Sequence, residues 1–530
     1  MKKSPNSLRK AASDSSVQGE SDPFGFIRAL QTEEASKTSP FRGQSAVRSG
    51  LLTGLSYLTI AGAGAVAGVY LAHKFGRNDR TDGFLAAYGV YLVLVFGAQA
   101  FRMVVVPDLT RAHAQGRLGT EFGTYVLAFL ALSVPVSAIV IAFPEFFGEL
   151  ITGRLPHSSA VLAGHALEWI VPAAFAQLLA ALAASALAAR DEYAAAAAGF
   201  ALGGISGLVV FVSLAGAHGL ISLAWGLALN AGISLGLPLV ALAARGGRPR
   251  HLLGGRARAV AERLWRLGYG TAVPLAGQIL YLLALRFAAG TGAGNVTSLS
   301  YAYLLAGMFV SATAFSLSLI SAAPLTRRGV DAETAADHLV HSAWVSLALV
   351  GAASGIVALA GGRVVTALLG HAYAGKVGAD LGRLVAYLAI WMVAWAAFSI
   401  TYPMLFVMYR TRLLIPLALA TISVDIPISI AGRAWAGLTG VAVALGVTTL
   451  LMVLGLMATL APRMLWLSVI GLGRLALIVG AATALAFGGA SLLLPVVPAV
   501  ALGLLVYALL LVGVRQFGLA EAWHYVRALH

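Results

Sequence analysis

Apolar stretches long enough to cross a bilayer recur along almost the whole chain, and this feature constrains the fold more than any other. About 18 apolar residues in a row indicate a membrane helix, because only helices and closed barrels satisfy every backbone polar group inside lipid. The 530 residues are 59% hydrophobic and only 11% charged. A soluble fold of this composition would lack the polar surface to cover itself. The sequence therefore predicts an all-α polytopic membrane protein.

About fourteen transmembrane helices are predicted, arranged as two pseudo-symmetric six-helix lobes followed by two C-terminal helices. The predicted spans are 51–72, 84–106, 122–143, 161–189, 193–214, 220–244, 269–289, 299–323, 344–360, 384–407, 413–430, 438–461, 465–487 and 496–514. The predicted regions are a disordered cytoplasmic tail at 1–48, an N-lobe at 49–244, a basic cytoplasmic linker at 245–268, a C-lobe at 269–461, helices 13 and 14 at 462–514, and a cytoplasmic tail at 515–530.

The distribution of basic residues predicts the orientation of the chain. Alternate segments that include the N-terminal tail and the linker hold 25 of the 36 Lys and Arg residues, whereas the opposite loops hold 8. Short loops rich in positive charge stay on the cytoplasmic side, so both termini are expected there. The formal charge of +15 then indicates contact with anionic phospholipid at the cytoplasmic face, and not with nucleic acid.

An internal repeat supports the two lobes. The chain reads Pro-Asp-Leu-Thr-Arg from Pro107 after the second span and Pro-Leu-Thr-Arg from Pro324 after the eighth. A second pair, Arg190 and Arg410, opens short basic turns at nearly the same separation. Two such lobes, related by an axis along the membrane normal, usually enclose a substrate cavity near the midplane and rock against each other. The repeat predicts a transporter with a charged gap between its lobes.

Several short motifs fall in the order found in one known family. Phe75-Gly76 is followed by Thr81-Asp82-Gly83-Phe84, Val106-Pro107 closes the second span, and the segment from Thr297 to Ala302 leads into Pro324-Leu325. In this order and spacing the chain resembles the MurJ/MviN family of lipid II flippases, within the superfamily of multidrug, oligosaccharidyl-lipid and polysaccharide exporters. The resemblance covers about residues 50–530.

The resemblance implies a flippase for a polyprenyl-diphosphate-linked peptidoglycan or other glycan precursor in a bacterial cytoplasmic membrane. Family members line the cavity with arginines on the first, second and eighth helices, which are thought to hold the diphosphate. The corresponding positions here are apolar or aromatic, namely Ala61, Ala67, Val93–Val95 and Tyr303-Leu304.

Few charged residues fall within the predicted spans, and such residues mark a pathway or an ion pair. Arg286, assigned to the middle of the seventh span, is interpreted either as a cavity group for phosphate or another counter-charge, or as the structural partner of Asp425 or another carboxylate. Asp425 is equally a candidate for coupling to H+ or Na+, because a buried carboxylate can carry a proton. Arg102 is interpreted as a cavity candidate or as a side chain that reaches the interface. Asp82, which matches the family directly, is either a gate residue or an N-terminal helix cap.

Enzymatic function is not indicated. The sequence contains no His-Glu-x-x-His, no phosphate loop and no Gly-x-Ser-x-Gly, and the predicted loops are too short for a catalytic domain. No cofactor is expected. Two alternatives to a flippase stay open: a cation-coupled antiporter of small molecules or drugs, and a non-transporting partner of the cell-envelope synthesis proteins.

Overall fold

The structure, a computed structural model, describes residues 59–60, 62–190, 192–244, 257–310, 332–407 and 413–513. Within these ranges the chain is helical. The helices are α1 (62–75), α2 (Asp79–Ala114), α3 (Leu118–Ala142), α4 (Pro144–Thr152), α5 (His157–Ala188), α6 (Ala194–His218), α7 (Ile221–Ala244), α8 (Ala257–Ala289), α9 (Asn295–Val310), α10 (Ala332–Leu369), α11 (Lys376–Tyr387), α12 (Ala389–Val407), α13 (Leu414–Leu460), α14 (Pro462–Thr483), α15 (Gly489–Leu493) and α16 (Val496–Gly513).

Ten of the described helical segments are long and apolar enough to cross a bilayer. The all-helical membrane fold predicted from the sequence is therefore confirmed, whereas the count of fourteen spans stays a prediction. The N-terminal tail, the C-terminal tail and the second half of the predicted eighth span lie outside the described residues. The region boundaries also stay predictions.

Helix α13 contains two of the predicted spans, because it reverses direction at Ala436 and Gly437, where the backbone leaves the helical range. Its first arm ends before this turn and its second arm begins after it. Gly432 lies against Gly440, and Gly455 lies against Leu417. This pairing is that of an antiparallel helix hairpin, with glycines where the two backbones meet.

The internal repeat is visible in the turns. Glycines with positive φ recur at matching turns of the two halves, in three pairs with nearly equal separations: Gly76 and Gly294, Gly153 and Gly370, and Gly219 and Gly437. A left-handed backbone favours glycine because it has no Cβ atom. The separation within each pair agrees with that of the repeated Pro-Leu-Thr-Arg motifs in the sequence. The two halves therefore share one chain path, as predicted.

Helix α8 differs from the sequence prediction at its beginning. It starts at Ala257, well before the predicted span at Tyr269, so the second part of the predicted linker is helical. The extension carries a polar and basic face, including Glu262, Arg263 and Arg266. Hydropathy alone assigned these residues to a loop, because an interfacial helical turn is too polar to count as part of a span.

The two lobes pack directly against each other along α2 and α8. Gly89 of α2 lies against Leu285 of α8, so close that a Cβ atom there would be 2.6 Å from the leucine side chain. Farther along the same pair of helices, Gly270 of α8 lies against Val104 of α2. The charged gap predicted between the lobes is therefore absent along this described part of the interface, where small residues allow close contact.

Candidate functional site

The site begins with Asp82, whose side chain is fully buried in the first turn of α2. Its Oδ2 atom accepts a hydrogen bond from the Gly294 backbone N–H at 2.5 Å. Its Oδ1 atom accepts from the Thr297 backbone N–H at 2.8 Å and from the Thr297 hydroxyl at 2.5 Å. One carboxylate of the N-lobe thus holds three donors at the beginning of α9 in the C-lobe.

Asp82 caps the beginning of α9, and not the beginning of α2, the helix that contains it. Asn78 is the N-cap of α2 and accepts the Thr81 N–H at 3.0 Å. The Asp82 carboxylate is therefore free to accept hydrogen bonds from the first N–H groups of α9, which have no partner within their own helix. A negative charge there also complements the positive end of the helix dipole. The prediction that Asp82 caps α2 is wrong, because Asn78 already does so.

Burial raises the pKa of the Asp82 carboxyl above its usual range, while the hydrogen bonds from Thr297 and Gly294 and the charge of Arg77 oppose this rise. Desolvation disfavours the charged form, and donors that point at the carboxylate favour it. Desolvation outweighs the donors, so the net effect of this environment is to favour the neutral carboxyl. Separation of the lobes would remove the donors and the desolvation together.

Arg77 completes the contact from the turn before α2. Its Nε atom donates to the Gly294 carbonyl at 2.8 Å and to the Ser298 hydroxyl at 3.0 Å. A terminal nitrogen donates to the Asn295 side-chain oxygen at 2.6 Å. Asp82 therefore takes the N–H groups of this turn while Arg77 takes its oxygens. We call Arg77, Asp82, Gly294, Asn295, Thr297 and Ser298 the gate, after the role that the sequence analysis considered for Asp82, and that role stays a prediction.

The gate joins equivalent parts of the two lobes. Gly76 beside Arg77 and Gly294 within the gate are one of the glycine pairs of the repeat. Sequence reasoning identified Asp82 but missed Arg77, which was counted only as a loop charge. The separation of Arg77 and Gly294 equals that of the repeated motifs, and this is the signal that could have found Arg77, because equivalent turns meet at a pseudo-two-fold axis.

A second contact reinforces the gate one turn farther along α9. The Tyr301 hydroxyl donates to the Gly68 carbonyl of α1 at 3.2 Å. The Tyr301 ring packs edge-on against Tyr373, with ring centroids 5.6 Å apart. The aromatic pair adds buried apolar contact beside the gate.

Arg286 lies at the end of a helix and not in the middle of a span, as was predicted from the sequence. It is in the last turn of α8, and its side chain is exposed. Its guanidinium donates to the Leu150 carbonyl of α4. The assignment to the middle of a span is wrong, since α8 ends at Ala289, within a turn of Arg286. Arg286 thus contacts α4 of the other lobe, and Asp425 is not its partner.

Asp425 lies buried in the first arm of α13. Ser429 donates to its Oδ2 atom at 3.4 Å, and Thr448 of the second arm lies beside it. Its Oδ1 atom has no well-aligned hydrogen-bond donor among the described residues. Asp425 is therefore a buried carboxyl between the two arms of α13, and its role in ion coupling stays a prediction.

Arg102 lies half-buried in α2, and this helix continues to Ala114. The predicted span ended at Val106, so the end of the helix is about two turns farther from Arg102 than the sequence indicated. Whether Arg102 serves the cavity or the interface stays a prediction.

Two of the positions that the resemblance aligns with cavity arginines, Val93 and Tyr303, are buried in the described structure. Tyr303 is 3% exposed and stacks on Tyr281 of α8 with ring centroids 3.9 Å apart. Its other neighbour is Trp391 of α12, at 4.5 Å. Val93 of α2 is also buried. Packed apolar and aromatic side chains therefore occupy these two positions.

The lobes also meet at the other end of α2, through ion pairs. Asp108 accepts from the Tyr125 hydroxyl at 2.6 Å and lies 3.4 Å from Arg266 of α8. Glu121 lies 2.5 Å from Arg263, also of α8. We call Asp108, Glu121, Tyr125, Arg263 and Arg266 the linker-end network. It attaches the extended start of α8 to the N-lobe.

No family model and no curated protein matches the sequence. Solved structures do match the fold. A MurJ lipid II flippase in an inward closed conformation is 16% identical and gives a TM-score of 0.70 over 88% of this chain and 99% of its own. An inward-facing multidrug transporter of the MATE family is 13% identical, with a TM-score of 0.61 over 76% of this chain and 94% of its own.

A transporter of the same MOP superfamily from Pyrococcus furiosus, described as having a binding pocket of reversed polarity, is 13% identical, with a TM-score of 0.54 over 81% of this chain and 93% of its own. The chain therefore has the fold shared by MOP-superfamily transporters and is a multi-pass membrane protein. Within that class the match to MurJ spans almost the whole flippase, as the order of the sequence motifs predicted.

Proposed function

We propose that this chain is a flippase that moves a polyprenyl-diphosphate-linked peptidoglycan or other glycan precursor across a bacterial cytoplasmic membrane by alternating access. The observation that carries the proposal is the gate, in which equivalent turns of two repeated lobes hold each other through Asp82 and Arg77. A rocking-lobe transporter needs one end that closes by specific contacts and can open as a unit.

The charge distribution supports a gate that faces outward. The Arg77 turn belongs to the loops poor in basic residues, and the linker end belongs to the segments rich in them. On this orientation both termini are cytoplasmic, and the basic linker contacts anionic phospholipid. The flippase would receive its substrate at the linker end and release it through the gate, where cell-envelope synthesis proteins would take it up.

Coupling to H+ or Na+ is assigned to Asp425. Its Oδ1 atom has no well-aligned donor among the described residues, and the hydroxyl groups of Ser429 and Thr448 lie beside the carboxyl group. Oxygen ligands of this kind suit a small hard cation, and a carboxyl in this setting also suits a proton. An ion bound there would connect the two arms of α13.

A cation-coupled antiporter of small molecules is the second candidate. The observation in its favour is the stack of Tyr281, Tyr303 and Trp391 near positions where the flippase family has charge. Aromatic faces bind apolar and cationic ligands well, whereas a diphosphate requires basic compensation.

Reconstitution distinguishes the two candidates. Proteoliposomes are loaded with a fluorescent polyprenyl-diphosphate glycan, and its arrival at the other leaflet is measured with and without a Na+ or proton gradient. The flippase proposal predicts transport that Asp82→Asn slows and that loses its ion dependence in Asp425→Asn. Lack of both transport and binding of any such lipid would overturn it. Ion-driven efflux of a cationic dye, abolished by Asp425→Asn, would favour the antiporter.

A further inference from the structure

A cavity of about 390 Å³ opens directly beside the gate. Arg77, Asn295 and Ser298 line one side of it, while Lys376 and Arg383 of α11 line the other. Its volume is at the lower end of the range of small-ligand pockets, roughly 300–1,000 Å³. The residues shared with the gate place the cavity at the meeting point of the lobes.

Helix α11 presents a polar stripe to this cavity. Lys376, Asp380 and Arg383 all line it, and their spacing of four and three residues puts them on one face of the helix. The opposite face is buried, with Gly382 close against Gly361 of α10. Packing of the buried face of α11 against α10 therefore fixes the orientation of its polar face toward the cavity.

The cavity has an excess of positive charge. Arg77, Lys376 and Arg383 are cationic, and Asp380 is the single carboxylate among the lining residues. Asp380 pairs with Arg383 at 2.8 Å. Lys376 is exposed, and no hydrogen bond or ion pair joins it to a described residue. Asp380 compensates Arg383 and the Asp82 carboxylate of the gate interacts with Arg77, so Lys376 is the lining cation that has no carboxylate partner among the described residues.

Backbone dipoles add to this charge. Helix α9 begins at Asn295 and α11 begins at Lys376, while the second arm of α13 follows the turn at Gly437. Leu438 and Thr439 of that arm line the same cavity. The beginning of a helix offers free N–H groups and a partial positive charge to an anion. The N–H groups at the beginning of α9 are already bonded to Asp82, so α11 and the second arm of α13 supply the two helix beginnings that remain for an anion.

We propose that this cavity binds a phosphate group. Arginine binds phosphate oxygens with a planar fork of donors, and lysine adds a compact charge. The group could be carried by an anionic phospholipid or by a soluble phosphate, because the cavity borders the gate end of the helices. Lys376 and Arg383 are the residues to test, since neither belongs to the gate, whereas Arg77 serves both.

The test uses the full chain in nanodiscs of neutral phosphatidylcholine, titrated with inorganic pyrophosphate at low salt and followed by calorimetry. Saturable binding is expected. Lys376→Gln should weaken it about tenfold, the loss expected for one charge-assisted hydrogen bond. Adding Arg383→Gln should remove the remaining binding, and Lys376→Arg should retain most of it. Arg117→Gln, an exposed charge beyond the other end of α2, is the matched control and should have no effect.

A second arm measures phosphatidylglycerol retained by the detergent-purified protein, using native mass spectrometry. Pyrophosphate binding that depends on Lys376 identifies a soluble phosphate. Retention of phosphatidylglycerol that depends on Lys376, without pyrophosphate binding, identifies a lipid headgroup. The proposal is overturned if neither ligand binds, or if Arg117→Gln lowers binding as much as Lys376→Gln does. Circular dichroism of each variant confirms that a loss of binding is not a loss of folding.

Discussion

The lobes are joined at the two ends of α2 by contacts of opposite kinds. At the gate, one fully buried carboxylate accepts three hydrogen bonds and one half-buried arginine donates three. In the linker-end network, the pairs are partly exposed, with 47% of the Arg266 side chain accessible. Asp108 there has further partners in Arg111 and Tyr125.

This difference indicates different roles. Buried donors and acceptors are costly to leave unpaired, so we expect the hydrogen bonds of the gate to form together and to break together. Exposed ion pairs contribute roughly 0–1 kcal/mol each and can exchange partners with little change in energy. We therefore expect the gate to act as a two-state contact and the linker-end network to act as a tolerant attachment. Substitutions at both ends of α2 test this contrast.

Of the substitutions considered, Asp82→Asn should shift the gate farthest toward the open state. An amide has one acceptor oxygen, and its NH₂ group would face an N–H of Gly294 or Thr297. The loss should be about 3 kcal/mol, or on the order of a 100-fold shift toward the open state. The chain has no cysteine, so Ser300→Cys, 1% exposed and one turn beyond Thr297, can report opening by its rate of labelling with a membrane-impermeant maleimide.

Ser185→Cys is the control for this experiment, because Ser185 is fully buried in α5 and reports unfolding instead of gate opening. It should stay unlabelled in the Asp82→Asn background. Equal labelling of Ser300→Cys with and without Asp82→Asn would show that Asp82 does not hold the gate.

Arg77→Lys should have a smaller effect of the same sign. Lysine retains the charge but cannot reach the Gly294 carbonyl, the Ser298 hydroxyl and the Asn295 amide in one fixed geometry. The expected increase in labelling of Ser300→Cys is about tenfold, equivalent to about 1.4 kcal/mol. An effect as large as that of Asp82→Asn would mean that the charge is less important than the geometry throughout the gate.

Glu121→Gln and Arg263→Gln test the stronger pair of the linker-end network. Each side chain is 20% exposed, so a double-mutant cycle should give a coupling energy of about 1 kcal/mol, or roughly fivefold in rate. The reporter is Thr271→Cys, 8% exposed in α8. A coupling of about 3 kcal/mol, as strong as that expected for the gate, would contradict the proposed contrast.

Arg266→Gln should change labelling of Thr271→Cys least. Its partners Asp108 and Glu262 are each available to another cation, and the exposed pair is screened by salt. The effect should be below about 0.5 kcal/mol at low ionic strength and should vanish at high salt. An effect that does not depend on salt would indicate that the Arg266 side chain becomes desolvated during the transport cycle.

The sequence predicted the membrane helices well, because bilayer thickness and hydropathy determine them, and it predicted the repeat through short motifs that recur at equal separations. It also identified Asp82 through the order of motifs. The sequence did not predict the position of Arg286 correctly, because hydropathy does not locate the end of a helix to within one turn. It missed Arg77 and Lys376 because contacts between residues far apart in the chain leave no periodic signal.

A further difference between the prediction and the structure concerns the charged gap between the lobes. Repeated lobes predict that a gap forms during the transport cycle, but not that it is open in a given state. In this structure Gly89 and Gly270 bring α2 and α8 together. The closed contact at the gate and the close approach of these helices belong to one conformation.

The most direct test locks the gate covalently. The Asp82 and Thr297 side chains touch at 2.5 Å, so cysteines at both positions should come within disulfide reach. With Asp82→Cys and Thr297→Cys together, oxidation should reduce lipid-linked glycan transport in proteoliposomes to background, and reduction should restore it. The single-cysteine variants should not respond to oxidation. Undiminished transport by the fully cross-linked protein would contradict a gate that opens in every cycle.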